Sequence, residues 1–210
     1  MPTFRKNDTN VYFAHIPKCG GSSVESIFTG SGYHMNFHDH GPKKENSINN
    51  MLHCSPQHFD ALQFNCIFSA NSFDLIFTVV RDPISRFSSE FAMRNKHLDK
   101  IDPVYVENWF DENIKLHSTN KYHLDNHLSL QSDFIINRSR VIKIEDGLEK
   151  NLKELSDEFF LELNIKSDRK LDSQKNKLGG SDKVIINNSL KQKLIEYYYT
   201  DFEMFDYATN

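Results

Sequence analysis

The sequence predicts an α/β fold: a three-layer sandwich around a mainly parallel central sheet. Three observations carry this. The strand-like run Asn10-Val-Tyr-Phe-Ala14 leads through a glycine turn into the helix-like run Ser23-Val-Glu-Ser-Ile-Phe28. The β-branched apolar run Asp74-Leu-Ile-Phe-Thr-Val-Val80 leads into Asp82-Pro83, which suits a helix N-cap and its first helical position. A third such run, residues 139–145, precedes an amphipathic stretch over 147–160. Apolar strands alternating with helices are what a sheet covered on both faces requires.

The remaining elements follow in order. Gly30-Ser31-Gly32 ends the first helix, and residues 33–37 suit a short strand. Residues 38–50 are polar and read as a loop, with Gly41-Pro42 and Lys43-Lys44 inside it. Ser55-Pro56 opens a helix through about residue 65, and Pro56 fits its first turn. The helix after Asp82 completes the second strand–helix unit. Asp102-Pro103 starts another, through Trp109 to about residue 117. Residues 118–134 suit a mixed loop and short helix. Residues 139–145 read as a further buried strand. The stretch 164–187, polar and lysine-rich with Gly179-Gly180, reads as a loop, and 189–199 as a closing helix capped by Ser189. There is no internal repeat, and 210 residues suffice for one α/β core, so the chain reads as a single domain, 1–210.

Composition narrows the function classes. With 25 Lys and Arg against 29 Asp and Glu the net charge is −4, which argues against a general nucleic-acid binder. An anionic ligand is still compatible, because a pocket needs only a few local cations. Three cysteines (Cys19, Cys54, Cys66) with no C-x-x-C spacing argue against a disulfide framework and fit a reducing compartment. The N-terminus has no apolar core of a signal peptide and no stretch approaches a membrane span, so a cytoplasmic location is expected. The 17 Phe and 8 Tyr are assigned mainly to the core.

The chemistry starts at His15-Ile-Pro-Lys-Cys-Gly-Gly-Ser-Ser23. Strand, glycine turn and helix together form a phosphate cradle: glycines admit the anion and first-turn N–H groups point at it. Lys18 adds a full charge. A Walker A loop needs Lys directly before its Mg²⁺-binding Ser or Thr. Here Lys18 precedes the glycines, so the loop suits a phosphate-like group without the Mg-nucleotide arrangement. The second element is Arg81-Asp-Pro-Ile-Ser-Arg-Phe-Ser-Ser89, with Arg81 at a strand's C-terminal end and Ser89 about two turns into the next helix.

These two segments resemble the signatures of sulfotransferases that use 3′-phosphoadenosine 5′-phosphosulfate (PAPS). The first is similar to that family's 5′-phosphosulfate loop, P-K-x-G-[GS]-[ST]-[ST], and the second to its 3′-phosphate signature, R-D-P-x-x-R-x-x-S. Weaker echoes lie at residues 125–133, 141–145 and 198–205, and the likeness is closest to the bacterial and carbohydrate branch. The resemblance implies a P-loop-kinase-like fold, PAPS as donor, adenosine 3′,5′-bisphosphate as product, no metal, and a hydroxyl acceptor on a sugar or small metabolite. It implies cofactor contacts from Pro17, Lys18, Cys19, Gly20, Gly21, Ser22 and Ser23, with Lys18 stabilising the leaving phosphate, and from Arg81 and Ser89. In relatives a loop closes over the nucleotide where residues 173–180 lie, so Lys175 and Lys177 are implied as further phosphate contacts.

Other residues keep open alternatives. Arg86 could face phosphate or pair with a helix carboxylate. Cys19 could be a reactive thiol at a helix N-terminus, or a small side chain that the loop tolerates. The general base expected is His53, in Met51-Leu-His-Cys-Ser-Pro-Gln-His58, which resembles the K-H-x-[TP]-A segment of relatives except that Leu52 replaces the basic residue. Histidine is chemically apt because it titrates near working pH. His15, Glu25 and His127 are the alternatives. His34, His38, His40 and His53 lack zinc-site spacing and read as loop histidines. Two other functions stay open: a small-molecule kinase of similar fold, and a module that binds the bisphosphate without turnover. The acceptor's identity and the oligomeric state are not encoded in any motif.

Overall fold

In the computed structural model, which describes residues 2–39, 48–98, 100–165 and 180–209, the elements in chain order are β1 (Thr3–Lys6), β2 (Thr9–Ala14), α1 (Gly21–Gly30), β3 (His34–Asn36), α2 (Ala61–Ile67), β4 (Leu75–Val80), α3 (Pro83–Arg94), α4 (Pro103–Thr119), β5 (Arg140–Lys143), α5 (Leu148–Glu158), α6 (Asn188–Tyr197) and α7 (Tyr199–Met204). They divide into two units, Met1–Val80 with Asp133–Lys170, and Arg81–Ser132 with Leu171–Asn210.

The first unit holds the sheet, in the order β3-β1-β2-β4-β5. Pairing is parallel for β2 with β4 and for β4 with β5, and antiparallel for β1 with both β2 and β3. Among the described strands β1 therefore runs against the other four, and the sheet is mixed rather than parallel throughout. The parallel registers, Ala14 opposite Thr78 and Val80 opposite Lys143, bring the C-terminal ends of β2, β4 and β5 to one edge. That edge is where open α/β sheets present their ligand-binding loops.

The apolar runs explain the packing. All of Val11–Ala14 and all of β4 are buried. Neighbouring residues on a strand face opposite sides. Phe13 stacks on Phe77, which stacks on Phe28 of α1, and Phe28 stacks on Phe4 at 4.4 Å. Tyr12, pointing the other way, meets Phe64 of α2 edge-on at 4.5 Å and Phe73 at 5.2 Å. The buried hydroxyl of Thr78 donates to the Ala14 carbonyl at 2.7 Å, so no polar atom is stranded there.

Several sequence expectations need correction. The strand β1 was not anticipated; it forms through the two-residue Asn7-Asp8 turn into β2, with Asn7 at φ 52°, a conformation Asn tolerates in tight hairpins. The helix expected from Ser55 is interrupted. A single 3₁₀ turn, Pro56–His58, precedes α2, which starts afresh because Asp60 and Gln63 make a capping box. The run at 139–145 yields only β5, at the sheet edge, where Val141 is 43% exposed rather than buried.

The second unit packs α3, α4, α6 and α7 around Phe87, Phe91, Val106, Phe110, Leu190, Leu194, Tyr198 and Phe202. The expected caps of the first two helices form: Asp82 accepts from the Ser85 N–H at 2.7 Å and Asp102 from the Val104 N–H at 2.9 Å. The cap of α6 is Asn187, which accepts from the Leu190 N–H at 2.8 Å. Ser189 lies two residues too far in for that role, and its hydroxyl donates to Glu107 instead. Among the described residues no helix is long and apolar enough to cross a membrane.

Candidate active site

The loop between β2 and α1 takes its shape from two left-handed residues, Lys18 (φ 70°) and Gly20 (φ 84°). Gly20 caps α1 without any side-chain hydrogen bond. Gly21 and Ser22 open the helix ahead of Ser23, whose N–H donates to the Gly20 carbonyl at 3.0 Å, and the positive end of the helix dipole there attracts an anion. Lys18 is half-buried, Ser22 exposed and Ser23 half-buried, whereas Pro17 and Cys19 are buried. Cys19 is 1% exposed and turns its thiol toward the Pro17 carbonyl. It fills space within the loop.

The two glycines are required for different reasons, Gly20 by its φ of 84° and Gly21 by close approach. A β-carbon on Gly20 would lie 2.8 Å from Ile144 Cδ1, and one on Gly21 would lie 2.2 Å from His15 Nε2. The His15 ring cannot step aside easily. Its Nδ1 is bonded to Glu25 at 2.7 Å, and the ring is packed between Phe13 and His58. Gly21→Ala is therefore expected to destabilise the protein by about 1–3 kcal/mol through overpacking. Gly30→Ala, at a position with nothing within 4 Å, should be neutral or slightly stabilising. Denaturant unfolding of the two variants checks this.

Beneath the loop His15, Glu25 and His38 form one cluster, with His38 Nε2 3.4 Å from Glu25. Burial pushes the Glu25 carboxyl up, but hydrogen bonds and charge from His15 and His38 outweigh it and hold the group at about 2. A carboxylate so acidic is a poor proton acceptor at neutral pH. His15 and Glu25, weighed separately as bases from the sequence, thus serve each other. Nothing in the sequence spacing announced that pairing. It arises because the fifth residue of α1 faces back onto the end of β2.

In the second unit Arg81 follows β4 directly. It lines a cavity of about 270 Å³ with Ile84, Ser85 and Ser88 of α3, and with Ser181 and Asp182. Ser85 and Ser88 were not singled out in the sequence. Helical spacing from Arg81 would have found them, since 81, 84, 85 and 88 share one face. Ser89 is half-buried and is not among the cavity's lining residues. Arg86 is 1% exposed and committed to the interior: its Nη2 donates to the His127 carbonyl at 2.8 Å and its guanidinium lies over the Tyr198 ring.

His127 is bound at Nδ1 by Glu90 at 2.6 Å, and Glu90 also accepts from Arg94 at 2.7 Å. Burial raises the Glu90 carboxyl, but the His127 and Arg94 charges and hydrogen bonds prevail and hold it at about 2. This is an internal ion-pair cluster.

His53 is exposed, on the segment between a 3₁₀ turn (Ile48–Met51) and Pro56–His58. The next residue anchors that segment: Cys54 is buried, with its thiol against the His58 carbonyl and the Gln63 side chain. Lys175, Lys177 and His40 lie outside the described residues.

Comparison with known proteins gives one result. No curated protein and no solved structure gives a significant match. The model of the sulfotransferase family matches residues 1–208, through both the glycine loop after β2 and the Arg81 segment after β4. The chain belongs to the sulfotransferase family and is a transferase.

Proposed function

We propose that this sulfotransferase takes its sulfuryl group from PAPS and passes it to a hydroxyl of a carbohydrate or other small metabolite. The observation that carries the reading is the start of α1: no side chain caps it, Gly20 turns the backbone at φ 84° and Lys18 lies two residues before it. That arrangement fits a 5′-phosphosulfate, and the cavity at Arg81 with its serine hydroxyls fits a second phosphate. The family match runs through both units, which supports treating 1–210 as one functional domain. Ring contacts on both faces of β2 support the three-layer, P-loop-kinase-like arrangement expected from the sequence.

PAPS, when bound, supplies an activated sulfuryl group whose S–O bond to the 5′-phosphate breaks as the acceptor oxygen bonds to sulfur. The backbone N–H groups of Gly20, Gly21 and Ser22, with the Ser22 and Ser23 hydroxyls, hold the 5′-phosphate, and Pro17 and Cys19 line the loop. Lys18 neutralises the charge that grows on the departing oxygen, the preorganised electrostatic term that dominates such transfers. Arg81, with its planar fork of donors, holds the 3′-phosphate together with Ser89, helped by Ser85 and Ser88. His53 takes the acceptor's proton. Residues 38–55 and 95–135, the second stretch carrying α4, select the acceptor.

A thermal-shift panel tests this reading, because a ligand that binds only the folded state raises its stability by mass action. Adenosine 3′,5′-bisphosphate is expected to raise Tm without metal, and adenosine 5′-phosphate much less. A shift with Mg-ATP alone would replace the reading with that of a kinase. Strong bisphosphate binding with no transfer to any hydroxyl acceptor would leave a binding module.

A further inference from the structure

The strand β4 ends at Val80, whose ladder partner is Lys143. Arg81, the next residue, lies beyond the ladder, and its backbone is held by a side chain instead. The Arg81 N–H donates to Gln131 Oε1 at 2.9 Å, and Gln131 Nε2 donates back to the Arg81 carbonyl at 2.8 Å. The primary amide thus copies the two-bond pairing of an antiparallel neighbour. Gln131 is fully buried.

Its own backbone is fixed in turn. The N–H groups of Gln131 and Ser132 donate to the two carboxylate oxygens of Asp201, at 2.8 and 2.9 Å. Asp201 sits at 0% exposure in α7, three residues after the buried Tyr198 and one before the buried Phe202. A buried carboxylate that accepts two backbone N–H groups is a rigid support, since losing either bond leaves charge unsatisfied. Within this unit, a chain of four hydrogen bonds runs from the C-terminal helix to the backbone of the arginine that lines the serine cavity.

We propose that Gln131 and Asp201 are positioning residues for recognition of the 3′-phosphate: they fix the Arg81 backbone, and so the direction from which its side chain enters the cavity. The inference rests on the reading of Arg81 as the 3′-phosphate ligand. A long flexible guanidinium discriminates only when its root is fixed, because otherwise ordering it on binding costs conformational entropy. Gln131 supplies that fixation without touching ligand.

The experiment is calorimetric titration of the full chain with adenosine 3′,5′-bisphosphate and with adenosine 5′-phosphate. The proteins compared are wild type, Arg81→Ala, Gln131→Met, Gln131→Glu and the double variant Arg81→Ala/Gln131→Met. Gln131→Met keeps the volume and loses both hydrogen bonds. Bisphosphate affinity should fall about tenfold, as expected for two lost bonds, while 5′-phosphate affinity changes by less than about twofold. Gln131→Glu keeps an acceptor for the Arg81 N–H and loses the donor, so its loss should also fall on the bisphosphate alone. In the double variant the ratio of the two affinities should match that of Arg81→Ala.

Equal losses for both ligands in the Gln131 variants would overturn the inference, since a merely structural glutamine moves both. So would an unchanged ratio in those variants when Arg81→Ala abolishes it. If Arg81→Ala itself leaves the ratio unchanged, the site reading fails and the inference falls with it. Near-UV circular dichroism checks folding, and if Gln131→Met does not fold, Gln131→Glu and Asp201→Asn decide by the same ratio.

Discussion

Lys18→Ala is expected to lower sulfuryl transfer by about 10²–10³-fold, the scale of removing one oxyanion-stabilising donor. It should also weaken binding of adenosine 3′,5′-bisphosphate, because a charged hydrogen bond contributes about 1.5–3 kcal/mol in the ground state as well. The backbone supplies the control. Lys18 holds φ 70°, which alanine adopts with the same strain and glycine with none. If charge is what matters, Lys18→Ala and Lys18→Gly lose turnover alike, although the glycine variant is the more relaxed loop. If Lys18→Gly keeps near-normal turnover, the residue shapes the loop and does not stabilise the leaving phosphate. Steady-state kinetics and calorimetry on the two variants separate these outcomes.

The legible parts of the sequence were those whose signal is local. The run 74–80 is apolar throughout because β4 is buried on both faces, and Asp82-Pro83 marks the start of α3 with cap chemistry that forms as written. The glycine loop was legible because Gly20 takes a left-handed φ of 84° and the His15 ring leaves no room for a β-carbon at Gly21. Features fixed by distant partners were not. Strand β1 is illegible for another reason: its four residues, Thr3–Lys6, hold a single apolar side chain, although β2 follows them through a two-residue turn. The run 139–145 looks like a core strand, yet its place at the sheet edge exposes Val141. The clamp of Gln131 on Arg81 spans fifty positions and that of Asp201 on Gln131 seventy, so no motif window contains them. Residues expected to touch ligand were therefore easier to name than the residues that hold them in place.

His53→Ala is expected to leave affinity for the bisphosphate nearly intact and to cut turnover by about 10²–10⁴-fold, the usual contribution of a general base. Two of the three alternative bases, Glu25 and His127, are committed elsewhere. Glu25 is held at about 2 by His15 and His38, and Glu90 holds His127 at 2.6 Å. His53 differs from both in being exposed on a segment pinned by the buried Cys54. A base must be unprotonated to accept the acceptor's proton, so wild-type kcat/KM should fall on the acid side of the optimum, and that limb should flatten in the variant. Imidazole added to His53→Ala should restore part of the turnover, which a residue that only shapes the loop would not allow. The measurement needs a true acceptor, because hydrolysis of PAPS by water need not use the same base. Near-normal transfer by His53→Ala would remove it from the role, and His15, which keeps Nε2 beside Gly21, would be the next residue to replace.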